Sequence, residues 1–60
     1  MKLITNNKYK IVFDVQGRAL TFTCTIVDDD NKFITFRDRK GTTISYNKST
    51  IISVEEINNG

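Results

Sequence analysis

Sixty residues make one domain at most, and a chain this short buries only about 60% of the surface its unfolded form exposes, so its core is small. A single cysteine, Cys24, excludes an internal disulfide and points to a reducing setting; no apolar stretch has the roughly 7–15 residues of a secretory leader or the about 20 of a membrane span, so a soluble, cytoplasmic protein is expected. Nine Lys and Arg against seven Asp and Glu leave a net charge of +2, too little to coat nucleic acid by net charge alone, so any such binding must come from local placement of charge.

Eight Ile, four Val and eight Thr favour pleated strands, because branching at Cβ restricts side chains against a helical turn. There is no proline, low-complexity tract or repeat, and residues 1–60 read as one unit. From Lys8 to Val15, Tyr9, Ile11, Phe13 and Val15 alternate with Lys10, Val12 and Asp14, the period of a half-buried strand. Gln16-Gly17 makes a tight turn. The next strand, Arg18 to Val27, puts Leu20, Phe22, Cys24 and Ile26 on one face and Ala19, Thr21, Thr23 and Thr25 on the other; its length predicts a bend that serves two sheets. Asp28-Asp29-Asp30-Asn31 reads as an acidic turn.

Lys32 to Asp38 alternates again, with Ile34 and Phe36 inward and Phe33, Thr35 and Arg37 outward. Gly41 closes a turn after Asp38, and Thr42 to Asn47 places Ile44 and Tyr46 opposite Thr43 and Ser45. Asn47-Lys48-Ser49-Thr50 suits a single helical turn capped by Asn or Ser, and a last strand, Ile51 to Ile57, brings Ile52 and Val54 inward. The pattern predicts an all-β fold: a five-stranded, strongly bent barrel of the Src-homology-3 type, with one short 3-10 turn before the last strand.

From Tyr9 to Glu55 the chain resembles the Sm-like (Hfq-like) family of small β-barrels. The resemblance is carried by a first strand leading into the short turn Val15-Gln16-Gly17 and a long bent strand, by the Asp-Asn pair ahead of an aromatic in Asp30-Asn31-Lys32-Phe33, and by the Tyr-led turn Tyr46-Asn47-Lys48-Ser49-Thr50-Ile51. Tyr46-Asn47-Lys48 stands where the family has a Tyr-Lys-His signature. The resemblance implies RNA binding on a barrel built to oligomerise, with Tyr46, Asn47 and Lys48 at the ligand.

Taken alone, the residues are compatible with that reading. The solvent side of the sheet would show Thr21, Thr23, Thr25, Phe33, Thr35, Arg37, Thr43 and Ser45, a hydroxyl-rich face on which a base stacks on an aromatic ring while arginine and hydroxyls reach phosphate and sugar. Phe33 is either a stacking platform or an interface residue. Arg37, Arg39 and Lys40 form either a phosphate contact or a solvated turn around Asp38. Lys48, beside the backbone donors of a capped turn, is a candidate anion site. RNA is favoured over DNA as partner. The alternative is an assembly module whose edge strands, the last above all, pair with another chain.

Catalysis has little to stand on. Without histidine, His-dependent bases, triads and zinc sites are excluded. Cys24 lies in an apolar face where a thiolate is disfavoured, and Glu55 and Glu56 are strand neighbours that face opposite sides. The triplet Asp28-Asp29-Asp30 lacks the glycine and distal glutamate of a calcium loop and reads as a plain hairpin turn. The expectation is a non-enzyme with no cofactor, metal, membrane or small-molecule partner.

Overall fold

In the computed structural model, which describes residues 3–57, five strands follow the predicted order: β1 (Lys8–Val15), β2 (Arg18–Asp29), β3 (Phe33–Arg37), β4 (Thr43–Asn47) and β5 (Ile51–Glu56), with a 3-10 turn at Lys48–Thr50. All pairings are antiparallel, and the strands form one sheet in the order β4-β3-β2-β1-β5. The sheet is not closed, for β4 and β5 remain its two edges where a barrel would join them. No helix among the described residues is long and apolar enough to cross a membrane.

Turn chemistry sets the registers. Gln16 (φ 53°) and Gly17 (φ 82°) both occupy the left-handed region, the two-residue hairpin whose twist matches its flanking strands. The Asp14 carboxylate accepts from the Gly17 amide at 3.1 Å and secures it. β1 and β2 then pair without interruption from Val15↔Arg18 to Lys8↔Thr25. At the 3-10 turn, the Asn47 side chain accepts from the Ser49 amide at 2.9 Å, a cap that satisfies a donor the turn leaves open.

The alternating apolar residues meet in one core. Tyr9, Ile11, Phe13, Cys24, Ile26, Ile34 and Phe36 are buried, joined by Leu3 from the N-terminal segment and flanked by Phe22, Ile44, Tyr46, Ile51 and Val54. Its centre is aromatic: the Phe13 ring lies 5.3 Å from Phe36, 5.9 Å from Phe22 and 4.8 Å from Tyr46 between centroids, within the range where ring pairs attract beyond their buried area.

Two expectations fail, each at a bulge. In β2, Ile26 pairs with Phe36 but Asp28 pairs with Thr35, so Val27 is an extra residue. Beyond it the faces exchange: Asp29 lies opposite inward-facing Ile34, and the strand runs to Asp29 where Val27 was the expected end. Asp29 is thus no solvated turn residue. Its side chain is 2% exposed and forms an ion pair with Lys48, and it accepts the Leu3 amide at 2.6 Å. In β5, Val54 pairs with Ile11 and Ile51 with Phe13, which leaves Ile52 as the extra residue. Ile52, expected inward, is 58% exposed, and Ile51 takes its place against the core.

Candidate nucleic-acid interface

Outward positions of three strands line up across the sheet. Lys8 on β1 faces Thr25 on β2, and Thr25 faces Arg37 on β3, so a lysine, a hydroxyl and an arginine share one row. In the adjoining row Lys10 faces Thr23, with Glu55 on the other side of Lys10. The β3–β4 turn carries Arg39 over the end of these rows. A groove of about 560 Å³ results, walled by Lys8, Arg37 and Arg39 and floored by Thr23 and Thr25. It adjoins a recess of about 260 Å³ that reaches Thr21 and Lys40, and Thr23, Asp38 and Arg39 line both.

Asp38 builds the turn that holds these cations. Its Oδ1 accepts the amides of Lys40 and Thr42, each at 2.9 Å, while its own amide donates to the Thr42 carbonyl at 2.9 Å and its carbonyl accepts from Gly41 at 3.1 Å. Gly41, at φ 88°, takes the left-handed conformation that closes the turn. Lys8, Arg37, Arg39 and Lys40 are all exposed. Several cations around hydroxyl donors form a surface suited to phosphate and sugar oxygens.

Not every residue singled out in the sequence reaches this groove. Arg37 and Arg39 do, and Lys40 lines the adjoining recess. Phe33 is outward and 46% exposed, but it stands at the other end of β3, about 13 Å from Arg37 at roughly 3.3 Å per strand residue. Between them, Thr35 is occupied by a 2.7 Å hydrogen bond to Ser45. Tyr46 lies on the inner face opposite Ile34, its ring packed against Phe13, Phe22 and Phe36. Asn47 is exposed across from Phe33, with its side-chain oxygen engaged in the cap. Lys48 is half-buried, its ammonium paired with Asp29 and its amide donating to the Lys32 carbonyl at 2.8 Å.

Lys8 and Lys10 are not among the site residues that the sequence points to. Their only signal was parity: both flank Tyr9 in an alternating strand, so they had to share the face opposite the core. Beneath the groove Cys24 is 3% exposed, donates weakly to the Tyr9 carbonyl at 3.6 Å, and has its thiol pushed up to about 11 by burial, which leaves it protonated and inert at neutral pH.

The opposite end of the sheet is acidic. Asp28 and Asp30 are exposed there, and Asp30 accepts the amides of Lys32 at 2.8 Å and Phe33 at 2.7 Å. The Phe33 and Lys32 amide bonds hold its carboxyl below the usual range. The face is therefore polarised, basic at the β3–β4 turn and acidic at the β2–β3 turn. No family model, curated protein or solved structure matches this chain.

Proposed function

We propose that the protein is a cytoplasmic single-stranded-RNA-binding module of the Sm-like kind. The groove bounded by Lys8, Arg37 and Arg39 over Thr23 and Thr25 carries the reading. Cations there take the phosphates. The threonine hydroxyls supply partners for a ribose 2′-OH, the group by which a protein favours RNA over DNA. From the groove the strand runs along β3 toward Phe33, on which a base stacks. The Sm-like assignment rests on the sequence resemblance, and closure of the sheet into a barrel on the strand pattern together with it.

A titration of a labelled single-stranded RNA at two salt concentrations tests this. Three to four neutralised phosphates give a slope of log K against log salt of about −2 to −3. Arg37→Ala should weaken binding roughly 5- to 10-fold and flatten that slope by about 0.7. Phe33→Ala should remove about 1–3 kcal/mol of stacking and leave the slope alone. Absence of binding at tens of micromolar in low salt would sink the RNA reading. The second reading, assembly through strand edges, would then stand on the unpaired edges β4 and β5 and on Ile52, 58% exposed on β5. A solution mass at a multiple of 6.9 kDa together with absence of RNA binding would mark it, since a six- or seven-fold mass with RNA bound belongs to the Sm-like reading.

A further inference from the structure

We infer that Asp38 makes the groove select bases that carry an exocyclic amino group, cytosine above uracil among the pyrimidines. The inference rests on the RNA-binding reading and adds a base preference to it.

Asp38 lines both the main groove and the adjoining recess, so a nucleotide held by Arg37 and Arg39 sits beside its carboxylate. Oδ1 is committed to the turn through the Lys40 and Thr42 amides. No hydrogen bond or ion pair from the described residues reaches Oδ2, although arginines flank it in sequence. The four hydrogen bonds of Asp38 fix where that oxygen stands, so little freedom remains to be lost on binding.

A carboxylate accepts and does not donate. Cytosine offers it the N4 amino group, the pairing expected of Asp or Glu with that base. Uracil has a carbonyl oxygen at the same place, and two acceptors face to face repel. The side chains that could otherwise take that carbonyl, Arg37 and Arg39, are assigned to phosphate. Thr23 and Thr25 do not discriminate, because a hydroxyl both donates and accepts.

The decisive comparison is fluorescein-labelled cytidine octamer against uridine octamer in low salt, since the two pyrimidines stack alike and differ at the 4-position. The cytidine octamer should bind about 5-fold tighter or more, the lower end of what a good base contact discriminates. Asp38→Asn keeps an oxygen for the turn and adds an amino donor for uracil, so it should abolish or reverse the preference; circular dichroism checks its fold. On the ligand side, an octamer of N4,N4-dimethylcytidine should bind the wild-type protein no better than the uridine octamer does, a test independent of how any variant folds. Equal binding of cytidine and uridine octamers, or a preference surviving Asp38→Asn or dimethylation, overturns the role of Asp38 and leaves the RNA reading standing. Failure of all octamers to bind at tens of micromolar overturns both.

Discussion

The carboxylate of Asp29 ties three segments together, accepting the Leu3 amide of the N-terminal segment and pairing with Lys48 of the 3-10 turn from its place at the end of β2. Its side chain is almost without water, at 2% exposed, whereas that of Lys48 keeps 24%. Removing Asp29 takes its ion-pair partner from Lys48 and its acceptor from the Leu3 amide, and breaking a buried pair costs about 3–5 kcal/mol. Asp29→Ala should fall near the lower end, about 3 kcal/mol, because Lys48 keeps some solvent. At roughly 0.05–0.15 kcal/mol per residue, that is a large part of what a domain of this size has to lose. Asp28→Asn, at an exposed position one residue away, should stay within about 0.5 kcal/mol. Replacing both partners by apolar residues, Asp29→Leu with Lys48→Met, should recover part of the loss, since the ion pair is removed whole while the Leu3 amide still lacks its acceptor. Urea unfolding of the three variants decides it. A loss below about 1 kcal/mol for Asp29→Ala would mean that the pair does not hold the turn to the sheet.

At the scale of the strand, alternation decides which face is inside. Phe36 is fully buried among Phe13, Phe22 and Tyr46, so Phe36→Ala should cost about 3–5 kcal/mol and leave the chain largely unfolded. Phe33→Ala, three positions earlier on the opposite face, should melt nearly as the wild type does in a thermal scan. The reverse result would mean that β3 has its faces exchanged. The same parity was legible in the sequence for β1, β3, β4 and most of β2, because apolar residues recur there at every second position, with Val12 and Phe33 as apolar residues on the other face. It was not legible past Val27 or at Ile52. A bulge inserts one residue without changing composition, so a count of two cannot hold on both sides of it: a count that places Val54 correctly turns Ile52 inward in place of Ile51. Ile52 is the residue this count misplaced, Asp29 was assigned to a turn because the strand was expected to end at Val27, and only the pairing partners Phe13 and Ile34 locate the inserted residues. Edge closure was equally hidden, being decided by how β4 and β5 sit and not by any pattern within them.

Over the whole molecule, the arrangement of charge matters more than its sum. A net +2 conceals a basic groove at one end of the face and exposed Asp28 and Asp30 at the other. The basic half was legible where cations cluster in sequence, at Arg37, Arg39 and Lys40. Lys8 enters the groove only through a register that runs across three strands, and Lys48 and Tyr46 leave it because an ion pair and an aromatic core claim them. The acidic end should repel the phosphates held at Arg37 in the groove by a long-range effect. The Asp30 amide bonds to the Phe33 carbonyl, which places that charge about 13 Å or more from Arg37, beyond the screening length of about 8 Å at 0.15 M salt and well inside the roughly 30 Å at 0.01 M. Its carboxyl, held low by the Phe33 and Lys32 amides, gives its full contribution to stability above the ordinary Asp value of about 3.9 and loses it only as pH falls through the depressed one, so the charge is present under any neutral assay. Asp30→Asn keeps a side-chain oxygen for those amides and deletes only the charge. It should therefore tighten RNA binding about 2- to 3-fold at 0.01 M salt and by less than about 1.5-fold at 0.15 M, whereas Arg37→Ala weakens binding at both. Anisotropy titrations at the two salt concentrations measure this directly. An equal gain at both would mean that a phosphate flanking the base stacked on Phe33 lies within the screening length of Asp30, a short-range repulsion and not one that acts across the face.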